Sequence, residues 1–440
     1  MKNKNNFLIL ISTICIIAIG IIIFARNTNI TNTKIPYDIN IFLNDDDLIE
    51  ITYKGPSDVY VIESDNSNVD LNDEGFQKIN DHSITFTLKD DLKYYYLKYR
   101  NNLYEVGTNE DLCAVDFKIN NHNLHYLAIG EEYTYTYQLN VKGYTNKEVE
   151  WVNDNPDIIS LNDGKVIAKK VGKAKLTAYF LNHYASRELI VSDLIIKAPK
   201  EFDDNKEMLP CGKYSEEENN LLDEILANRI EDATYQSRAA VVEAARFLTL
   251  NFPYKINYFY EWGRQDLDSI DGEGRYYLKG LYLDESRYDF LKGSNTKPQT
   301  WGCLLYSENI KAVDYNGLDC SGFVTWAIYN GGFNCGDIGA GFSKSTKSLT
   351  DIGELKRIDD KTIKGVKVGD LVHNDYTGGH IGIIIGKDEN NFYISEATPK
   401  DDISALVVTK LKHEEIKKVW DEFIFMDNYY LNDGNLTNMW

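Results

Sequence analysis

Cys320 stands at the start of a predicted helix, a position where a thiol can act as a nucleophile. Residues 317–332 carry a start signal in Asp319, an apolar stripe, and a stop signal in the last two glycines. The free backbone N–H groups and the positive end of the helix dipole favour a thiolate there, so we expect a lowered Cys320 pKa. The same N–H groups, between Asp319 and Ser321, are placed to hold an oxyanion or substrate. A lone helical cysteine can also be an inert core residue, which is the competing interpretation.

A histidine that could serve as the base lies sixty residues further along, at position 380. Residues 369–374 and 378–386 are typical of two strands. Alternation along the second strand gives one face to His380, Gly382, Ile384 and Gly386. We expect the glycines to leave open space around the imidazole ring, as a working base requires.

The strand after the histidine supplies a candidate third member of a catalytic triad. Within 392–397, Glu396 could accept the second N–H of His380 and hold its tautomer. The sequence does not fix the strand register, so Ser395 is the open alternative.

Three blocks, in this order, resemble the signature of the NlpC-type family of papain-like cysteine peptidases. They are Asp-Cys-Ser-Gly-Phe at 319–323, Gly-Asp-Leu at 369–371 and Gly-His-Ile-Gly-Ile at 379–383. The family packs a helix that bears the cysteine on an antiparallel sheet that bears the histidine. The resemblance implies that Cys320 is the nucleophile, His380 the base and Glu396 the third residue. The family more often has His, Asn or Gln at that third position.

A fourth block of the family, Tyr-x-Trp-Gly-Gly, is matched in part by Tyr260-Glu-Trp-Gly-Arg264. The resemblance implies that Tyr260 helps to bind the reacting carbonyl. The residues between this block and the cysteine, 265–316, form an insertion that is longer than a usual connection. The insertion either covers the cleft or is a surface subdomain.

The resemblance implies an enzyme that hydrolyses peptide bonds in peptidoglycan stem peptides, commonly the link between D-γ-glutamate and a diamino acid. Neither a metal nor a cofactor is expected. Two other functions remain open. One is another papain-like reaction on the cell wall, either as an amidase or as an acyltransferase. The other is a catalytically silent protein that binds the wall or mediates adhesion.

An uncharged apolar segment near the N-terminus, Phe7–Ala25, is long enough to cross a membrane. Its nineteen residues, at about 1.5 Å per residue, nearly match the roughly 30 Å hydrocarbon core of a bilayer. Lys2 and Lys4 precede it, so the positive-inside rule puts the N-terminus in the cytoplasm and the rest of the chain outside. We expect a retained signal anchor at the cell membrane. A cleaved signal peptide, which would give a secreted protein, is the alternative.

Two β domains are predicted between the membrane segment and the catalytic region. Residues 36–113 alternate short apolar runs with turn signals, as in a β-sandwich. Residues 116–198 resemble the group-two bacterial immunoglobulin-like domain through Trp151, the Asn155-Pro-Asp157 turn and Gly164-Lys-Val-Ile-Ala168. Such a domain is usually a spacer or an adhesion module.

The resulting fold class is multidomain: a transmembrane helix, two β-sandwich (Ig-like) domains and an α+β papain-like domain. The predicted order is a cytoplasmic tail (1–6), a signal anchor (7–25), a β-sandwich (36–113), an Ig-like domain (116–198), a linker (199–214) and a peptidase domain (215–440). A formal charge of −21 excludes nucleic acid as a partner, because a phosphate backbone requires clustered Lys and Arg. The six scattered cysteines form no Cys-x-x-Cys pair, which argues against a zinc site.

Overall fold

The structure is a computed structural model. It describes residues 38–55, 57–120, 124–200, 206–210, 213–258, 317–333, 335, 338–339, 347–348, 352–374, 379–399 and 404–440. The described chain divides into two compact units. The first contains the residues up to 119 together with 137–150 and 178–185, and the second contains 120–136, 151–177 and the residues from 186 onward. The fold is mostly β, with several sandwich-like sheets and few helices.

The first unit begins with eight strands in which apolar residues alternate with polar ones. The strands are β1 (Asp38–Leu43), β2 (Leu48–Lys54), β3 (Val59–Ser64), β4 (Gln77–Lys78), β5 (Ser83–Thr87), β6 (Tyr94–Tyr99), β7 (Asn102–Thr108) and β8 (Ala114–Ile119). The first seven form the antiparallel sheets β1-β2-β5 and β4-β3-β6-β7. Alternate residues of β2 and β3, such as Ile49, Ile51, Val59 and Val61, meet in one core. Burying each aliphatic side chain contributes about 1.5–3 kcal/mol, which stabilises the sandwich-like packing of these sheets.

The next eight strands, together with β8, form three sheets. They are β9 (Tyr126–Ile129), β10 (Glu132–Thr134), β11 (Tyr137–Lys142), β12 (Glu150–Asn153), β13 (Ile159–Asn162), β14 (Lys165–Ala168), β15 (Gly172–Phe180) and β16 (His183–Ile196). The sheets are β10-β14-β13, β12-β15-β16-β9 and β11-β8. The β13–β14 hairpin turns at Asp163 and Gly164, whose φ angles are 46° and 73°. Positive φ at both central residues is the type I′ pattern, which Asp-Gly favours.

Three helices of the second unit pack in one core with the strands of a large sheet. They are α1 (Glu216–Asp232), α2 (Arg238–Arg246), which continues into a π-helical turn at Phe247–Asn251, and α3 (Cys320–Asn330). A capping box begins α1, because Ser215 accepts from the Glu218 N–H and the Glu218 side chain accepts from the Ser215 N–H. Alanines on α2 allow it to pack closely against α1 and α3.

An antiparallel sheet carries the remaining elements of this region. Its strands are β17 (Asn257–Tyr258), β18 (Gly317–Leu318), β21 (Glu354–Arg357), β22 (Leu371–Asn374), β23 (His380–Lys387), β24 (Asn391–Thr398), β25 (Ala405–Lys412) and β26 (Glu422–Phe425). The described strands have the order β18-β17-β25-β24-β23-β22-β26-β21, with only β17 and β18 parallel. Two short strands, β19 (Ile338–Gly339) and β20 (Lys347–Ser348), pair separately. A short helix, α4 (Asp360–Gly365), and a 3₁₀ turn at Ile416–Lys418 complete the region.

Both faces of the central strands are buried. One face, which includes Ile381 and Ile383, packs against the helices in a core that also contains Cys320. The opposite face, which includes Ile384 and Ile394, packs in a second core. Strands buried on both sides explain the nearly continuous apolar run in β23.

Strands β9 and β10 lie in the same compact unit as α1 and contact it through charged groups. Nη2 of Arg229 donates to Glu131 Oε2 over 2.7 Å, and the Tyr133 hydroxyl donates to the Asp232 carboxylate over 2.5 Å. The side chain of Arg229 is only 6% exposed. Removal of Glu131 would therefore leave a buried charge without its closest partner.

No helix within the described residues is long and apolar enough to cross a membrane. The predicted anchor, 7–25, lies outside the described residues.

Candidate active site

The nucleophile candidate lies in the first turn of α3, held there by the Asp319 cap. The carboxylate of Asp319 accepts from the Gly322 N–H over 2.6 Å, and the Ser321 hydroxyl donates to the same oxygen over 3.3 Å. The Phe323 N–H bonds to the Asp319 carbonyl. The cap thus leaves the N–H groups of Cys320 and Ser321 for a ligand or for the sulfur, as the sequence predicted for the helix start.

The Cys320 sulfur lies beside the strand that bears the histidine. The backbone N–H groups of Ile381, the residue after His380, of Cys320 and of Ser321 lie close enough to the sulfur to lower the pKa of the thiol. The helix packs against β23, and Cys320 is 8% exposed. Two blocks that are sixty residues apart in sequence therefore meet at one point.

Burial changes the expected protonation state of the thiol. Loss of solvent raises the pKa of Cys320 to about 12, and the Asp319 carboxylate adds to the rise. The three backbone N–H groups lower it by less. The prediction of a lowered pKa was therefore wrong, because it considered the helix dipole and not the burial of the helix start. The resting thiol is neutral at pH 7.

His380 and Glu396 form a close pair at the end of the sheet. Nε2 of His380 lies 2.5 Å from Oε2 of Glu396, which leaves Nδ1 for a proton transfer. The other carboxylate oxygen, Oε1, accepts from the Thr409 hydroxyl over 2.5 Å. Glu396 is only 7% exposed, so both of its oxygens are satisfied by protein donors.

Trp420 covers one face of the His380 ring. The ring centroids are 5.2 Å apart and the planes differ by 13°, which is a stacked arrangement. Trp420 itself is 1% exposed. This large rigid side chain restricts rotation of the imidazole and excludes water from that face. Nothing in the sequence around Trp420 indicated the contact.

The glycines near His380 have a different role from the one expected. A Cβ on Gly382 would lie 2.8 Å from Ile394 Cγ2 and 3.3 Å from Val372 Cγ2, so the position is tightly packed and not open. A bulge between Ile384 and Gly386 shifts the register, and a Cβ on Gly386 would point at Trp440 and Tyr393. Strict alternation had predicted that Gly386 shares the face of His380. The bulge makes that prediction wrong.

The register ambiguity between Glu396 and Ser395 is resolved by strand pairing. Ser395 pairs with Ile383 and faces the helices, whereas Glu396 reaches His380. The Ser395 hydroxyl is buried and has no hydrogen-bond partner among the described residues. A second histidine in this area, His373, is buried on β22 with Nδ1 3.1 Å from Glu422 Oε2.

The Gly-Asp-Leu block has a structural explanation. Asp370 is fully buried and accepts from Arg238 Nη1 over 2.6 Å and from the Met426 N–H over 2.9 Å. Gly369 has a φ of +90°, and a Cβ there would lie 2.6 Å from Arg238 Cγ. The block thus ties β22 to α2 and to the strand after Trp420, and it positions the sheet without contacting the Cys320 sulfur.

Some of the predicted site lies outside the described residues. These are Tyr260 and the insertion 265–316. Within the described part of the chain, no group of three or more His, Cys, Asp or Glu side chains could hold a metal ion.

Comparisons with known proteins add little to this geometry. No family model matches the chain, and no curated protein matches it. Similar solved structures include a chimeric titin Z1Z2 functionalized with a KLER exogenous peptide from decorin, at 16% identity, covering 33% of this chain and 87% of that chain. They also include a chimeric titin Z1Z2-Z1Z2 tandem functionalized with a GRGDS exogenous peptide from fibronectin, at 15% identity, covering 33% and 90%. Both have a TM-score of 0.14, which is too low to indicate a shared fold.

The buried thiol leads to a measurable expectation for alkylation. Because burial raises the Cys320 pKa to about 12, the rate of iodoacetamide labelling should stay low at pH 7 and still be rising above pH 9. The same cysteine in urea should follow an ordinary thiol curve centred near about 8.5. Mass spectrometry of the Cys320 peptide measures both curves. A plateau of fast labelling below pH 7 in the folded protein would contradict the expectation and indicate a preformed thiolate.

Proposed function

We propose that this protein is a cysteine peptidase that hydrolyses peptidoglycan stem peptides, with Cys320 as nucleophile, His380 as base and Glu396 as third residue. The observation that carries the proposal is that the Ile381 N–H, one residue along the chain from the His380–Glu396 pair, lies close to the Cys320 sulfur. The choice of peptidoglycan, and of the bond to D-γ-glutamate, rests on the resemblance of the three sequence blocks.

A neutral resting thiol requires general-base catalysis. Nδ1 of His380 takes the thiol proton as the sulfur attacks the scissile carbonyl carbon. Glu396, already bonded to Nε2, stabilises the imidazolium that forms. The imidazolium then gives the proton to the leaving amine, and a thioester remains on Cys320. Water, deprotonated by His380, hydrolyses this thioester and restores the thiol.

The backbone of the helix start supports the oxyanion step. The Cys320 and Ser321 N–H groups are not used by the Asp319 cap, and they lie next to the sulfur. An oxygen that becomes negative as the sulfur attacks would sit near these donors. We propose that Asp319 and Ser321 act through this cap, and that Tyr260 contacts the substrate carbonyl.

The remaining assignments are proposals of the same kind. The peptidase region would adopt the papain-like arrangement, because a helix bearing cysteine packs on an antiparallel sheet bearing histidine. The two β regions before it would be Ig-like modules. Phe7–Ala25 would anchor the protein in the membrane, with the catalytic region outside the cell, or would be removed to release it.

Digestion of purified peptidoglycan by residues 38–440 tests the function, with Cys320→Ala as the matched control. We expect fragments with a new carboxyl on glutamate and a new amine on the diamino acid, from the intact protein alone. Mass spectrometry of the soluble fragments identifies the bond. Release of whole stem peptides from the sugar would indicate an amidase. Transfer of the acyl group to an added amine would indicate an acyltransferase. Sedimentation with the wall without any cleavage would indicate a binding protein and overturn the proposal.

A further inference from the structure

We propose that Thr409 is a positioning residue of this site, whose hydroxyl holds the Glu396 carboxylate in the orientation that His380 requires. The inference rests on the proposed function, and it concerns a residue outside all of the sequence blocks that indicated that function.

The strand pairing brings Thr409 to the carboxylate. In the antiparallel β24–β25 pair, Glu396 lies opposite Val407 and Thr409 lies opposite Ile394. Thr409 and Glu396 are therefore diagonal neighbours on one face, at a separation that side chains can bridge. The hydroxyl donates to Oε1 over 2.5 Å, while Oε2 faces His380 Nε2 over 2.5 Å.

The Thr409 hydroxyl matters because the Glu396 carboxylate that it contacts is buried. Glu396 is 7% exposed, so little solvent reaches a carboxylate oxygen that loses its protein donor. With Thr409 in place, one oxygen is committed to the hydroxyl and the other to the imidazole. Without it, the carboxylate could rotate about its last bond, because the terminal torsion of Glu is broad and roughly two-fold. The imidazole would then lose a fixed partner on Nε2.

The two contacts on the imidazole restrict different motions. Trp420 stacks on the face of the ring and limits tilting, while Glu396 acts at the ring edge and selects the tautomer. Thr409 acts only through Glu396. Its loss should therefore weaken the hydrogen bond at Nε2 while leaving the stacking on Trp420 unchanged.

The test uses Thr409→Val, which keeps the shape and the β-branch but removes the hydroxyl, and Thr409→Ser, which keeps the hydroxyl. Proton NMR of residues 38–440 should show the low-field signal of the Nε2–H bonded to Glu396, assigned by its absence in His380→Ala. We expect this signal to broaden or vanish in Thr409→Val and to persist in Thr409→Ser. Turnover of muropeptides should fall in kcat by about 3- to 10-fold in Thr409→Val, with KM unchanged.

A matched control is Thr325→Val on α3, where the buried hydroxyl has no hydrogen-bond partner among the described residues. That variant should keep both the low-field signal and kcat. In a Glu396→Gln background, Thr409→Val should lower kcat by a smaller factor than it does in the wild-type background, because both residues act on the same hydrogen bond to His380. An unchanged signal and kcat in a folded Thr409→Val would overturn the inference. Loss of the signal in a protein that never cleaves peptidoglycan would keep Thr409 as a positioning residue and refute the proposed function.

Discussion

His380→Ala is expected to reduce kcat/KM by at least about 10⁴-fold, close to the effect of Cys320→Ala. The reason is the neutral thiol: burial holds the pKa of Cys320 near 12, so the sulfur depends on a base for its deprotonation. When one member of a proton-transfer unit is removed, the other can no longer work, and the two losses do not add. A double variant should therefore be no worse than either single one. Steady-state cleavage of a soluble muropeptide measures all three.

Substitution of the third residue, Glu396, should lower the rate of cleavage less than substitution of the base, His380. Glu396→Gln keeps an acceptor at the site but removes the negative charge that stabilises the imidazolium. A hydrogen bond to a charged group is worth about 1.5–3 kcal/mol, which corresponds to about 10- to 100-fold in rate. Ser395→Ala is the neighbouring control and should be nearly silent, because that hydroxyl faces the helices without a partner among the described residues. A damaging Ser395→Ala with a silent Glu396→Gln would refute the assignment.

Arg238→Met is expected to destabilise the second unit by about 3–5 kcal/mol, the usual loss when a buried ion pair is broken from one side. Arg238 is fully buried and donates to Asp370, Asp427 and Asp433. Asp427 and Asp433 are about half exposed and can regain water, but Asp370 is fully buried. The variant leaves the Asp370 carboxylate without its cation. Urea unfolding, followed by the fluorescence of tryptophan, gives the change in free energy.

Two comparisons separate this charge effect from a packing effect. Arg238→Met combined with Asp370→Asn should recover part of the loss, because the uncompensated charge is gone. Burial raises the Asp370 pKa even with Arg238 present, and Arg238 opposes that rise. Without Arg238 the folded-state pKa of Asp370 should rise further, so the loss of stability in the single variant should become smaller as the pH falls through the carboxyl range. An equal loss of stability at all pH values would indicate lost packing instead.

The control for an exposed ion pair is Lys417→Met, which removes the partner of Asp360. It should change the free energy of unfolding by less than about 1 kcal/mol.

Local signals made several elements of the fold predictable. Four strands of the first two sheets fall within a residue or two of the apolar runs, because alternation reports directly which face is buried. The start of α3 at Cys320 was predictable because Asp319 is a strong cap whose preference is intrinsic to the side chain. Such signals require no knowledge of distant residues.

Features that depend on pairing between distant segments could not be predicted. The bulge in β23 decides where Gly386 points, and the pairing of β24 with β25 decides that Thr409 meets Glu396. No local pattern around Thr409 or Trp420 contains this information. The prediction of a lowered Cys320 pKa was wrong for a related reason. The helix dipole can be inferred from the sequence, whereas the burial of that helix end by the sheet cannot.

The burial of the Cys320 sulfur also has a consequence for how long the proposed enzyme would stay active under oxidising conditions. Peroxides oxidise thiolates far faster than thiols, and the first product, a sulfenic acid, can proceed to irreversible acids. A thiol that is protonated and only 8% exposed between turnovers presents little thiolate to such oxidants. For a protein that works outside the cell, as proposed, the nucleophile would be chemically vulnerable only during the short time in which His380 holds its proton.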